Sequence, residues 1–308
     1  MATSRALARI GHFATREALP FARAGWSRLR GALDDAAVWM LGKDFEERLE
    51  RVAATLGPGR MDPFGLDLET AKYAVAAAAF LHRIYFRAES KGLENIPPGR
   101  VLLIANHSGQ LPVDGLLIGA SLFLDADPPR ITRSMVEKWT QSLPFVGTFF
   151  QRVGQVVGVP ENARRLLQQG EAILVFPEGA RGAAKPFWQR YELTEFGLGF
   201  MRLALETDTP IVPIAVVGGE EQYINIGNLD RLAKLLGMPV FPTVPQWFVP
   251  GAQLPLPVKY RLSFGEPMRF SGDPDDEDAV IEQKVATVRR TIQSMIQRGL
   301  KERKSLFF

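Results

Sequence analysis

A chain of 308 residues, 46% hydrophobic and 23% charged, is long enough to bury a substantial core and has the balance of an ordinary globular protein. It contains no cysteine, which excludes disulfides, thiolate metal sites and a cysteine nucleophile. Its net charge of +3 is too small to argue for nucleic acid, and its three histidines, His12, His82 and His107, lie too far apart to make a local metal motif.

Residues 1–31 set Arg5, Arg9, Arg16, Arg23, Arg28 and Arg30 against Glu17 alone, four of them at seven-residue steps. Such a helix, bent at Pro20, either rests in a bilayer interface or presents an ordinary solvated face. An arginine-rich, acid-poor start also resembles an organellar transit peptide. No run of eighteen apolar residues is present, so a spanning helix is not expected, and arginines interrupt any signal-peptide core. Residues 34–56 read as a helix stopped by Gly57, Pro58 and Gly59. We take 1–66 as an N-terminal basic, amphipathic, helical region and 67–308 as the principal domain.

Asp67 is placed to cap a helix over 68–82. Residues 85–89 read as a strand, and Gly92, Pro97 and Pro98 as the turn that follows. Residues 101–105, Val-Leu-Leu-Ile-Ala, form a short apolar run bounded by turn residues, as in a fully buried strand. His107 then falls at the strand's carboxyl end, where open α/β sheets build their sites. Pro112 opens the next helix, over 115–123. A carboxylate at Asp114 that accepted from one imidazole nitrogen would leave the other free to take a proton from an alcohol. On one continuous helix these residues would stand about 10 Å apart. The reading therefore requires 108–111 to fold back as a loop, with Gly109 supplying the freedom.

Further strands are expected over 131–135, 172–176, 211–217 and 258–264. Helices are expected over 162–169, 194–206 and 229–236, with a C-terminal amphipathic one carrying Ile281, Val285, Val288, Ile292 and Met295. The second and third of these strands deliver Glu178, Gly179 and Arg181, and then Glu220 and Glu221, to the same edge as His107. Arg181 offers planar donors to a phosphate or a carbonyl oxygen, while Glu178 either holds Arg181 or binds a hydroxyl. Glu220 and Glu221 either bind substrate or cap the next turn. Trp247 and Phe248, in a proline-rich loop, suit an interfacial belt or a packed surface loop. Seven basic residues over 284–304, against Glu302, make the C-terminus positive like the N-terminus, which suits an anionic membrane surface.

Asn106-His107 with Asp114, then Phe176-Pro177-Glu178-Gly179-Ala180-Arg181, then Ile-Val-Pro-Ile-Ala-Val-Val-Gly at 211–218, resemble in order and interval the glycerolipid acyltransferase family. That group contains the lysophosphatidate acyltransferases, and the resemblance covers residues 85–267. Six residues separate His107 from Asp114 where most of the family has four, as in the variant branch reading His-x-x-x-x-Pro-x-Asp. The arginine that usually ends the family's second block has no counterpart in 154–162, which puts glycerol phosphate specificity in doubt.

The resemblance implies an α/β fold with a mixed, largely parallel central sheet flanked by helices, extended by an N-terminal helical region. It implies transfer of a fatty acyl group from acyl-CoA or acyl carrier protein to a glycerolipid hydroxyl, with no further cofactor and no metal. His107 is the expected general base and Asp114 its orienter, with Asn106, Glu178, Gly179 and Arg181 about the substrate. The stretch equivalent to 138–150 lines the family's acyl and acceptor channel, and Lys138 at its start and Arg133 on the strand before it are candidate substrate contacts. Phe145, Phe149 and Phe150 are expected in the core. The protein is expected at the cytoplasmic face of a membrane as a peripheral enzyme, bound to anionic lipids and not to nucleic acid. The alternative is a non-catalytic membrane lipid-binding protein on the same fold; within the enzyme reading, a mono- or diacylglycerol replaces lysophosphatidate as acceptor. No Gly-x-Ser-x-Gly elbow or Walker-type loop supports hydrolysis or phosphoryl transfer.

Overall fold

The computed structural model describes residues 44–56, 61–138, 140, 145–235 and 240–308. The chain divides into two compact units, Met1–Glu46 and Glu47–Phe308, and the fold below is that of the second. The arginine-bearing helix expected over 5–30 and the first part of that expected over 34–56 lie outside the described residues, as do Trp139, Leu143 and Pro144.

Seven strands make one sheet: β1 (Glu89–Lys91), β2 (Val101–Ala105), β3 (Thr132–Val136), β4 (Val156–Val157), β5 (Ala172–Val175), β6 (Ile211–Val217) and β7 (Arg261–Phe264). Their order is β1-β7-β6-β2-β5-β3-β4. From β6 to β4 every pairing is parallel, and the direction reverses only between β6 and β7. With Leu103 opposite Leu174 and Val212, the carboxyl ends of β6, β2 and β5 lie side by side.

Continuous apolar runs form these central strands because both faces of the sheet are covered. Leu102, Ile104, Ile173, Ala215 and Val217 face one way, against α5 (Pro160–Gln168), α7 (Gly199–Glu206) and the long α9 (Asp278–Glu302). Leu103, Ala105, Leu174, Ile214 and Val216 face the other way, against Leu117, Ile118 and Leu122 of α3 (Val113–Leu124). Each such side chain contributes roughly 1.5–3 kcal/mol on burial, so β2, buried along its whole length, is anchored from both layers. α2 (Leu68–Phe80) packs beside α3 and begins at Asp67, whose carboxylate accepts from Glu69 N at 3.2 Å and Thr70 Oγ1 at 2.6 Å. α1 (Phe45–Leu56) buries Leu49 and Val52, while Arg48 donates to the carbonyl of Ala126 at 2.9 Å.

Four local expectations are corrected. Residues 85–89 are not a strand: a wide helical turn, Leu81–Tyr85, extends α2, and Arg87 at φ 45° delays the extended run until Glu89. The helix expected from 194 begins at Gly199, because the Thr194 amide and hydroxyl are taken by Glu178 and Gly197 N bonds to Pro177 O. β7 begins at Arg261, since Lys259 N and Tyr260 N bond outside the sheet, to Leu306 O and Phe86 O. Phe145 is 90% exposed and Phe149 is exposed too, because α4 (Val146–Arg152) carries no buried residue; Phe150 is half-buried. In α9 the inner stripe is Ile281, Val285, Val288, Ile292 and Ile296, with Met295 packed at its margin.

Candidate active site

Directly beyond β2, Asn106 replaces a rung of the sheet ladder. Its Nδ2 donates to Val216 O at 3.0 Å and its Oδ1 accepts from Val216 N at 2.7 Å. Both groups are buried, so this two-way bond satisfies backbone that water cannot reach and fixes where the chain leaves the sheet. The next four residues turn back on themselves through Gly109, at φ 76°. A Cβ there would lie 2.0 Å from Gln222 Nε2, and a Cβ at Gly219 would lie 2.1 Å from Ser108 Oγ. Two glycines thus let the loop close against the end of β6.

The return brings His107 Nδ1 to 2.8 Å from Asp114 Oδ2, in the first turn of α3. Asp114 is fully buried and its other bonds are local: Ser108 N donates to Oδ2 at 2.8 Å and Gly115 N to Oδ1 at 2.8 Å. The backbone therefore sets the carboxylate, and in the neutral ring the carboxylate favours the tautomer with Nδ1–H, which leaves Nε2 as the acceptor. Phe176 stacks on the imidazole, ring centres 4.3 Å apart and planes 23° apart. Burial pushes the imidazolium pKa down, but the charge and hydrogen bond of Asp114, helped by Glu178, outweigh it and raise the value above 6.5.

Glu178 lies beside this pair without touching Arg181. Its Oε1 accepts from His107 N at 3.0 Å; its Oε2 accepts from Thr194 N at 2.8 Å, Thr194 Oγ1 at 3.0 Å and Lys185 Nζ at 3.4 Å. Lys185, itself buried, also donates to Glu220 Oε1 at 3.1 Å and Glu192 O at 2.9 Å. Burial drives the Glu220 carboxyl up to about 7, against the opposing pull of Lys185. Glu221 accepts from Tyr191 Oη at 2.5 Å and from Arg303 at 2.8 and 2.6 Å. Neither glutamate is simply a cap: both are buried partners of cations.

Of the other expected site residues, Gly179, at φ 58°, opens the short α6 (Gly179–Ala183). Arg181 on that helix is exposed and makes no side-chain hydrogen bond or ion pair among the described residues. Lys138 is exposed beyond the end of β3. Arg133 is elsewhere. It is fully buried, its Nη2 is 2.5 Å from Asp62 Oδ2, and it pairs across the sheet at the level of Ile173 and Leu102. That is five residues before His107, roughly 15 Å from the rim at the rise of a strand.

A shallow recess, open to solvent, adjoins the loop and is lined by Gly109, Gln110, Lys185, Phe187, Arg190 and Glu220 among others. Sequence reasoning did not find Lys185, Tyr191, Thr194 or Gly182. The first three come from irregular backbone without periodicity. Gly182 has a use visible only in three dimensions: a Cβ there would lie 2.5 Å from the Cβ of Glu178. Among the described residues no three His, Cys, Asp or Glu side chains converge as a metal site needs, and no helix is long and apolar enough to cross a membrane.

The domain that carries this histidine–aspartate pair is similar to known proteins. The family model described as Acyltransferase matches residues 87–217. A Mycobacterium leprae protein, named only as uncharacterised, is 36% identical over 260 residues, 82% of this chain and 71% of its own. A Gallus gallus protein, named as an enzyme synthesizing storage lipids, is 27% identical over 223 residues, 71% of this chain and 62% of its own. The crystal structure of the 1-acyl-sn-glycerophosphate acyltransferase of Thermotoga maritima has the same fold, with a TM-score of 0.50 at 20% identity over 76% of this chain and 83% of that one. The chain belongs to the glycerolipid acyltransferase family.

Proposed function

We propose that this protein is a membrane-associated O-acyltransferase that moves a fatty acyl group from acyl-CoA, or acyl carrier protein, to a glycerolipid hydroxyl, with no other cofactor. The observation that carries this reading is the 2.8 Å bond between His107 Nδ1 and a buried carboxylate, which leaves Nε2 as the base. Nε2 takes the proton of the acceptor hydroxyl as its oxygen attacks the thioester carbonyl. The tetrahedral intermediate then expels the thiolate, which leaves with that proton as the free thiol. Asp114 holds the ring and balances the imidazolium while the proton is on it. Glu178 positions His107 through the backbone amide and is not the acceptor's partner, because its two oxygens already accept four bonds.

A neutral acceptor, a mono- or diacylglycerol, is favoured over lysophosphatidate. No arginine stands in the 154–162 segment, the buried Lys185 is shared between two carboxylates, and the Gallus gallus relative is named for storage lipids. The exposed Arg181 is the group that would bind a phosphate in the other case. Residues 1–66 and the basic C-terminal helix are the parts we assign to holding an anionic, cytoplasm-facing membrane surface.

Thiol release from acyl-CoA, measured with neutral and phosphorylated acceptors, tests the proposal. Wild-type protein should release thiol only when an acceptor is present, and His107→Ala should be slower by about 10²–10⁴-fold. Vesicle binding without turnover on any acceptor would instead mark a non-catalytic lipid-binding protein.

A further inference from the structure

We infer that the exposed apolar side chains gathered beside the loop that follows His107 form the face this protein lays on an anionic phospholipid bilayer. The inference rests on the acyltransferase reading for its purpose and on the surface itself for its location. Phe248 is 75% exposed, Leu254 72% and Trp188 62%, and Leu111, Ile224 and Ile226 are exposed as well. They come from four separate stretches that hydrogen bonds tie into one rim. Gln222 Nε2 donates to Leu111 O at 3.5 Å, and Leu256 N donates to Gln222 O at 2.8 Å. Ile224 N donates to Gln246 Oε1 at 3.3 Å, and Phe187 N to Asn225 O at 2.8 Å. Leu111 and Trp188 directly follow Gln110 and Phe187, which line the recess, so this apolar rim adjoins the loop that carries His107. Soluble monomers seldom gather large apolar side chains this way without a partner.

Two features select lipid as that partner. The stretch 231–265, which carries Phe248 and Leu254, contains no aspartate or glutamate. Lys259 and Arg261 in that stretch are paired with Glu89, but Arg231 and Lys234 on α8 (Asp230–Leu235) stand exposed, a positive complement to anionic headgroups. The proline-rich turn also sets Trp247 edge-on against Tyr223, ring centres 5.9 Å apart, giving an amphipathic aromatic pair behind the exposed Phe248. Access argues the same way. A protein seated on the rim would stopper the recess, whereas a bilayer delivers a hydroxyl on an acyl-bearing molecule directly to it.

Full-length His107→Ala protein, floated with phosphatidylcholine vesicles with and without phosphatidylglycerol, separates docking from turnover. It should bind the anionic vesicles, and the added triple change Trp188→Asp, Phe248→Asp and Leu254→Asp should weaken binding by about tenfold or more. Because the chain has no cysteine, a nitroxide can be placed uniquely at Phe248→Cys or Leu254→Cys. On adding anionic vesicles both labels should become shielded from a water-soluble relaxation agent, while a label at Gln168→Cys, exposed at the end of α5 just before the amino end of β5, should not. Unchanged vesicle binding by the triple variant, with both rim labels still open to water, overturns the inference. So does a triple variant that turns a dimer into a monomer, since the rim would then be an interface between copies. Shielded labels together with full turnover by His107→Ala would keep the docking face and remove the proposed chemistry.

Discussion

At His107 burial and a buried anion pull in opposite directions, and the anion prevails. The proposed base works only when unprotonated, so kcat/KM should rise with pH along a limb whose midpoint lies above 6.5, the value of an unperturbed imidazole. Asp114→Asn should move that midpoint down and lower the plateau, by about 10²–10⁴-fold if the lost orientation costs as much as general-base catalysis contributes. A pH–rate profile of both proteins decides this, because a change of fold alone would lower the plateau without moving the midpoint. Stability has the opposite dependence. A folded-state value raised above the unfolded one stabilises the protein fully below about 6.5, and that contribution is lost as pH rises through the folded-state pKa. The contact between His107 and Asp114 was legible in the sequence because an apolar run bounded by turn residues marks a strand end and Pro112 marks a helix start. Arg133 misled for a related reason. A guanidinium on a strand reads as a ligand until a carboxylate from an earlier loop, Asp62, is found 2.5 Å away.

The elements that place the site are short, and their ends matter more than their middles. α6 has five residues, yet its Gly182 gives the Glu178 side chain room to reach the His107 amide. Gly182→Ala should therefore leave the circular-dichroism spectrum unchanged and lower kcat with little effect on KM, since it shifts a carboxylate that fixes the base. A loss confined to KM would mean that Glu178 contacts substrate instead. The buried strands were legible as apolar runs bounded by turn residues, and the C-terminal helix from its periodicity. The strand expected over 85–89 failed because Tyr85 still belongs to the helical turn that extends α2 and Arg87, at φ 45°, breaks the extended run, and the helix expected from 194 failed because its first residues serve Glu178. Local pattern cannot register a tertiary bond that outcompetes it. Lys185 and Tyr191 were invisible for that reason, their partners being Glu178 and Glu220 for the one and Glu221 for the other.

Across the whole molecule, the last residues stitch the fold shut behind the site. Arg303 pairs with Glu221, Leu306 O accepts from Lys259 N at 2.9 Å, and Arg87 donates to Phe307 O at 2.8 Å. Removing residues 303–308 strips the buried Glu221 of its cation, a change worth about 3–5 kcal/mol when one partner of a buried pair is lost. Denaturant titration of the shortened chain should show a loss of that order, and an unchanged midpoint would make the tail ornamental.

The bond that ties His107 Nδ1 to Asp114 leaves a single ring nitrogen for two errands. On the proposed chemistry, Nε2 must collect a proton from oxygen and surrender it to sulfur, so both atoms have to pass the same corner of the imidazole. Nucleophile and leaving group therefore attend one doorway in turn. A bisubstrate inhibitor should work best when a short bridge holds its alcohol and thiol mimics on a common side.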